Sequence, residues 1–127
     1  MFALHHLSAL EQLDWLRRGE VTPVELTEHY LERIAKLDPS LGAFASVRAD
    51  DARERARVVA GSVSKAAALW GLPSAEKDLW QRAGEPTGFG SRLMAEHVSE
   101  VSDEIVETLD EAGTISLGST AVPEFGL

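Results

Sequence analysis

Lys77 is the residue whose type and surroundings most favour chemistry. It lies in the segment 71–78, which reads Gly-Leu-Pro-Ser-Ala-Glu-Lys-Asp. A lysine acts as a base only when its amine is neutral, and the ordinary lysine pKa of about 10.4 requires lost hydration or nearby positive charge for that. Four apolar residues in the surrounding sequence are expected to remove water from the amine: Trp70, Leu72, Leu79 and Trp80.

Two carboxylates flank this lysine in the sequence. Glu76 and Asp78 would favour the charged ammonium if they pointed at it. Successive side chains of an extended backbone point to opposite faces, so both are predicted to lie on the face away from Lys77. Composition alone leaves an alternative, an ordinary exposed lysine in a charged loop, because perturbed lysines are the exception.

Local signals predict the elements that must position this segment. Ser8 with Glu11, and Thr22 with Glu25, have the spacing of a capping box and predict the starts of two helices. Gly19 is expected to end the first helix. The second is predicted to stop at Asp38–Pro39, because proline disfavours helix in the residue before it.

The rest of the chain predicts an α/β fold. A helix that is followed after one glycine by an apolar strand is typical of folds in which helices pack on a β-sheet. The inner face of that helix is predicted to contain Ile105, Val106, Leu109 and Ala112. The pattern predicts a strand at 43–47, a helix at 50–63, a glycine-rich loop at 84–91, a helix at 102–113 and a buried strand at 114–117.

Bulk properties exclude several classes of function. The 127 residues carry a net charge of −9, which does not suit binding to a nucleic-acid backbone. Cysteine is absent, which fits a reducing compartment. No apolar run approaches the roughly 18 residues of a membrane span. The first residues, from Met1 and Phe2 onward, lack the basic and apolar regions of a signal peptide, so the cytoplasm is the expected location.

Four segments resemble motifs of the amidase signature family, in the same order. Gly-Leu-Pro at 71–73 followed by Lys-Asp at 77–78 resembles the lysine motif of the family. The glycines, threonine and serine within 84–91 resemble its glycine-rich segment, and 102–126 resembles a helix–strand block that ends in Pro-Glu-Phe-Gly. The two predicted N-terminal helices, with Thr-Pro-Val-Glu-Leu at 22–26, resemble the entry helices of the family.

The resemblance implies a fold and a division of the chain. It implies the N-terminal helices and first strands of a larger mixed β-sheet flanked by helices, incomplete in this chain. Residues 1–127 would be the N-terminal part of a single amidase domain. Within it, the helices occupy 1–40, the lysine motif and glycine-rich segment occupy 69–91, and the helix–strand–Pro-Glu-Phe block occupies 102–127.

The resemblance also implies a mechanism, hydrolysis of a carboxylic amide by a Ser–cis-Ser–Lys triad with Lys77 as the base. The two serines belong to a Gly/Ser-rich signature that does not occur in these 127 residues. The chain alone is therefore expected to be inactive, with no cofactor and no metal. Four serines are present outside any such signature: Ser74, Ser91, Ser116 and Ser119.

Several alternatives remain open from the sequence. The near alternative is the subunit of a glutamine-dependent tRNA amidotransferase, which would share the triad, and the more distant one is a non-catalytic helical interaction module. The expected partners are a small-molecule amide and the remainder of the same enzyme chain, with no nucleic acid and no membrane. The exposed faces of the first two helices also admit a homodimer.

Histidine and carboxylate side chains are the other candidates for a metal site, and neither set favours one. His5 and His6 are adjacent and are not expected to face one site, while His29 and His97 are isolated in the sequence. The acidic side chains of the helix at 102–113 are expected to be solvated surface.

Overall fold

The structure, a computed structural model, describes residues 3–127. The expectation about a signal peptide involves Met1 and Phe2, which lie outside the described residues. In chain order the helices and strands are α1 (Ala9–Arg18), α2 (Pro23–Leu41), β1 (Phe44–Val47), α3 (Ala49–Ser62), β2 (Pro73–Lys77), α4 (Glu104–Glu111) and β3 (Ile115–Thr120). Across residues 3–127, no helix is both long enough and apolar enough to pass through a bilayer.

The starts of α1 and α2 agree with the sequence prediction. The Ser8 side chain accepts a hydrogen bond from the Glu11 backbone, and the Glu11 carboxylate accepts one from Ser8. Thr22 and Glu25 form the same reciprocal pair at the start of α2. Gly19 ends α1 with a φ of 75°, a left-handed conformation that costs glycine little.

The prediction that α2 stops at Asp38–Pro39 is wrong. The helix continues through Pro39 to Leu41, and Gly42 ends it in the left-handed conformation with a φ of 62°. Asp38 caps the end instead, because its carbonyl accepts the Gly42 N–H at 2.8 Å and its carboxylate accepts the Ala43 N–H at 2.7 Å. A proline in the last turn removes one hydrogen bond, which this cap offsets.

The three strands form one mixed sheet in the order β1-β3-β2. β3 is central, antiparallel to β1 and parallel to β2. Helices α2 and α3 pack on each other, and both contact β3. The predicted α/β class with a mixed sheet is confirmed. The described core is a single apolar cluster that joins helices, sheet and connecting turns: Leu13, Leu16, Val21, Leu26, Leu31, Ala52, Ala56, Val59, Trp70, Leu72, Ile115 and Leu117.

Helix α4 buries a narrower face than its sequence pattern predicts. Val106 is fully buried, and Leu109 and Ala112 are half-buried. Ile105 is 41% exposed, so its assignment to the inner face is wrong. An eight-residue helix completes only about two turns, and Val106 is its one fully buried residue.

Candidate active site around Lys77

Lys77 is the last residue of β2 and its side chain is exposed. It pairs in register with Thr120, the last residue of the parallel strand β3. Its ammonium nitrogen lies 5.9 Å from the centroid of the Trp80 ring, within the range of a cation–π contact. The carboxyl ends of neighbouring parallel strands form one edge of the sheet, where ligand sites in such folds concentrate.

The expected separation of Lys77 from its flanking carboxylates is confirmed. Glu76 is 2% exposed and Asp78 is 6% exposed, while Lys77 points outward between them. The alternation of an extended strand accounts for this arrangement.

The expected apolar enclosure of Lys77 by Trp70 and Leu72 is wrong. Both side chains belong to the main core. The Trp70 indole N–H donates to the carbonyls of Val59 and Val63 on the α3 side, and its ring faces Lys65, whose ammonium lies 5.2 Å from the centroid. Trp80 is the tryptophan beside Lys77, because it follows in the turn immediately after β2.

The glycine-rich segment 84–91 lies directly against the lysine strand. One oxygen of Asp78 accepts the Gly88 N–H at 3.1 Å. A side chain at position 88 would bring a Cβ to 3.0 Å from the other oxygen, so any larger residue would crowd this carboxylate. Thr87 is held from behind by a 3.0 Å hydrogen bond between its hydroxyl and that of Ser99, and both residues are buried.

The Pro-Glu-Phe-Gly block meets the same glycine-rich segment. The Phe125 N–H donates to the Phe89 carbonyl at 2.7 Å, and the Ser91 hydroxyl donates to the Glu124 carboxylate at 2.7 Å. A Cβ at Gly90, whose φ is 65°, would lie 2.5 Å from the Val122 carbonyl oxygen. The structure thus brings the three motifs together at one edge.

Two aromatic residues of this contact were not predicted as site residues. Phe89 and Phe125 both adopt positive φ, 53° and 50°, which is uncommon outside glycine and often accompanies function. Their ring centroids lie 6.4 Å apart. The signal in the sequence is that each phenylalanine precedes a glycine within a segment of unusual backbone.

Three of the four serines noted in the sequence bond to other residues of the chain. Ser91 donates to Glu124, Ser116 donates to Glu76, and the Ser119 hydroxyl accepts from Arg48. The buried Ser74 hydroxyl has no partner within the described residues, but Ser74 stands three positions before Lys77 on the same strand.

A buried ionic cluster behind the lysine strand was missed by sequence reasoning. The Glu76 carboxylate accepts from Arg48 at 2.8 Å and from the Ser116 hydroxyl at 2.6 Å, and also from Arg82. Arg82 in turn donates to both oxygens of Asp110, at 2.6 and 3.1 Å. The acidic face of α4 is therefore not all solvated surface. The sequence shows these arginines and carboxylates but does not show that they pair, because most of the partners lie far apart along the chain.

Glu76 makes folding sensitive to acid. Burial alone would raise the pKa of its carboxyl, but hydrogen bonds from Ser116 and Arg82 outweigh burial and hold the pKa below the usual 4.5. A carboxyl whose pKa is lower in the folded than in the unfolded chain contributes stability above the unfolded value, and loses it as the pH falls through the folded one. Stability should therefore decline below about pH 4.5.

Urea unfolding of the chain and of Glu76→Gln at a series of pH values measures this effect. At about pH 7 the variant should unfold at lower urea than the parent, and the two midpoints should converge in acid as Glu76 becomes protonated. A difference that stays constant across the range would contradict the assignment.

The histidines differ in part from the prediction. His29 is not isolated, because its Nε2 lies 3.0 Å from His5 Nδ1, and Arg33 lies 3.0 Å from the other nitrogen of His5. Burial and the Arg33 charge lower the pKa of both imidazoles. Residues 3–127 contain no group of three or more histidine or acidic side chains placed to hold a metal ion.

Comparison with known proteins gives a consistent assignment. A sequence model of the family described as Amidase matches residues 25–127. A glutamyl-tRNA(Gln) amidotransferase subunit from Acinetobacter baumannii (strain ATCC 17978) is 34% identical over 129 aligned residues, covering 100% of this chain and 26% of the relative. The corresponding protein from Psychrobacter sp. (strain PRwf-1), which has the same name, is 36% identical with the same coverage.

A solved structure agrees with the sequence comparison. A bacterial aryl acylamidase of the amidase signature family superimposes with a TM-score of 0.84 at 25% identity, over 94% of this chain and 26% of that protein. The chain thus spans about a quarter of the length of the relatives it matches. With three motifs converging on one sheet edge and both comparisons in agreement, the chain belongs to the amidase signature family.

Proposed function

We propose that residues 1–127 form the N-terminal part of a single amidase domain, and that the complete domain hydrolyses a carboxylic amide to a carboxylate and ammonia or an amine. Its parts are the helices over 1–40, the lysine motif and glycine-rich segment over 69–91, and the block over 102–127. The observation that best supports this proposal is the position of Lys77, which is exposed at the end of β2 beside the other two motifs.

In this proposal Lys77 is the general base of a Ser–cis-Ser–Lys triad. The neutral amine takes a proton from the bridging serine, which takes one from the nucleophilic serine as that oxygen attacks the amide carbonyl. The proton then goes to the leaving nitrogen, and water releases the acyl group as a carboxylate. Both serines would come from residues outside the 127 of this sequence.

The exposed position of Lys77 fits a triad whose two serines come from another part of the domain. A lysine serves as a base only when neutral, and removal of water disfavours the ammonium. The remainder of the domain would therefore do two things at this edge: supply the serines and cover the Lys77 side chain. Backbone N–H groups of a glycine-rich loop are suited to stabilise the oxyanion.

The chain alone should not hydrolyse amides. The Gly/Ser-rich signature that would supply both serines does not occur in the 127 residues, and Ser91, Ser116 and Ser119 bond elsewhere. Ammonia release from a panel of primary amides, with the purified chain and with the complete domain, measures this. Turnover by the chain alone that disappears in Lys77→Met would contradict the proposal that the serines lie elsewhere.

Glutamine-dependent amide transfer is the second candidate, favoured by the 34–36% identity to the glutamyl-tRNA(Gln) amidotransferase relatives. In that reaction the same triad would release ammonia from glutamine for transfer to misacylated tRNA. An assay of the complete protein with glutamine and misacylated tRNA, beside simple amides alone, separates the two. Amide hydrolysis without any tRNA product favours the amidase.

Location and assembly are also proposals. We expect a cytoplasmic protein, which cell fractionation would test. The substrate would be a small amide bound at the sheet edge, and the other partner would be the remainder of the same chain. A homodimer through α1 and α2 is testable by the mass of the complete protein in solution.

A further inference from the structure

The buried cluster around Glu76 joins five separate parts of the chain. Arg48 precedes α3, Glu76 lies on β2, Arg82 follows β2, Asp110 lies on α4 and Ser116 lies on β3. Two arginines face two carboxylates, so their charges balance. The side chains of Glu76 and Arg48 are only 3% and 8% exposed, which places their ion pair well inside the protein. Such a pair favours one arrangement of the chain, because any arrangement that separates the two side chains leaves a buried charge without a partner.

The cluster lies where the register of β2 is irregular. Ser74 pairs with Ser116 and Glu76 pairs with Ser119, so β3 contains one residue more than β2 between these points. A bulge of this kind interrupts the regular ladder of backbone hydrogen bonds. The side chains of the cluster therefore act at the point where the backbone ladder is irregular.

A slip of one residue at this point would exchange the faces of Glu76 and Lys77, because side chains alternate along a strand. Lys77 would then enter the cluster beside Arg48 and Arg82, where like charges repel. Glu76 would leave two buried arginines without their shared partner. The charges thus select the register in which the lysine faces outward.

Hydrogen bonds on the far side of Lys77 complete its positioning. The Asp78 N–H donates to the Thr120 carbonyl at 2.9 Å, and the Asp78 carboxylate accepts from Gly88. The Lys77 carbonyl accepts from Leu79 at 2.7 Å and from Trp80 at 3.0 Å. The backbone of Lys77 is held on both sides, while the side chain itself remains exposed.

We propose that Glu76 is a positioning residue, which through Arg48 and Arg82 fixes the register of β2 and so keeps Lys77 on the face where the triad assembles. This inference rests on the proposed role of Lys77 as the base. Glu76 touches neither substrate nor the reacting atoms, and its effect passes entirely through the position of the lysine.

Two measurements on Glu76→Gln test this. In the 127-residue chain, NMR cross-strand contacts between Lys77 and Thr120 report the register, and they should be lost in the variant. In the complete domain, kcat per folded molecule should fall by at least about 100-fold with KM unchanged, since misplacement of a reacting group by only about 1 Å costs that much and a slipped register moves Lys77 further. A residue that only stabilised the fold would lower the unfolding midpoint and change neither quantity.

A matched control and a second variant complete the design. Glu54→Gln removes an exposed carboxylate paired with Arg57, both more than 60% exposed, and should leave register and kcat unchanged. If Glu76→Gln does not fold, Arg82→Met is measured instead, because Arg82 lies at the rim of the cluster with 21% of its side chain exposed. Its kcat should fall by about tenfold, as Glu76 keeps one arginine.

The inference is overturned if a folded variant keeps both the Lys77–Thr120 contacts and the kcat of the parent. Failure of the proposed function gives a different result. In that case Lys77→Met would retain activity, while the NMR contacts in the chain would still decide whether Glu76 sets the register.

Discussion

Replacing Lys77 with methionine should lower kcat of the complete domain by about 10³-fold, because a positioned general base contributes roughly 10²–10⁴-fold to a reaction of this kind. Methionine keeps the length and the apolar stem of lysine, and the side chain is exposed at the end of β2. The unfolding midpoint should therefore change little. Steady-state kinetics on an amide that the domain hydrolyses, beside urea unfolding, separate lost chemistry from lost folding.

Lys65 offers a matched control for this experiment. Its ammonium lies 5.2 Å from the centroid of a tryptophan ring, much as that of Lys77 lies 5.9 Å from another. It stands in the turn after α3, beside Trp70 rather than at the strand edge. Lys65→Met should leave kcat unchanged, and an equal loss in both variants would contradict a specific role for Lys77.

Gly118→Ala should destabilise the chain by about 3 kcal/mol, the sum of a strained φ and an overpacked contact. Gly118 lies in the central strand β3 with a φ of 151°, a conformation that side chains rarely adopt. An added Cβ would overlap the Ser46 carbonyl oxygen and lie 3.0 Å from Val47 Cα on β1. The strands must then separate, so the loss should appear as a lower urea midpoint.

Gly61→Ala provides the opposite expectation. Gly61 lies within α3, has no atom within 4 Å of an added Cβ and does not have a positive φ. Alanine is the better helix former by about 1 kcal/mol, so this variant should be neutral or more stable. Equal losses in the two variants would mean that the strand contact at Gly118 does not limit stability.

Features set by neighbouring residues could be predicted from the sequence. The capping boxes at Ser8 and Thr22 depend on side chains three positions apart, and both form as expected. The glycine-rich loop also adopts the unusual angles expected of it, with positive φ at Gly84 and Gly90. In these places the local preference and the tertiary structure agree.

Features set by distant partners could not be predicted. The end of α2 is a local exception, because Pro39 was expected to end the helix but Asp38 and Gly42 close it after Leu41 instead. His29 is isolated in the sequence, but in the structure its ring lies within hydrogen-bond distance of His5, which is 24 residues away. Nothing in the spacing of Arg48 and Glu76 indicates that they meet, because the contact joins the start of α3 to the lysine strand.

The sequence was enough to predict which residue forms the candidate site, but not which residues surround it. Family resemblance singled out Lys77, and strand alternation correctly turned Glu76 and Asp78 away from it. The prediction that both nearby tryptophans enclose the lysine is wrong for Trp70, because that side chain is buried in the main core. The meeting of Gly90 with the Pro-Glu-Phe block depends on close backbone packing, which periodicity does not encode.

A crystal structure of the complete domain tests the central claim most directly, through the distance from Lys77 Nζ to the nearest serine hydroxyl oxygen. We predict hydrogen-bond reach, about 2.6–3.2 Å, with a second serine within reach of the first and with Lys77 covered by residues outside this chain. A structure in which Lys77 still faces solvent, or pairs with a carboxylate and has no serine near it, would contradict its assignment as the base.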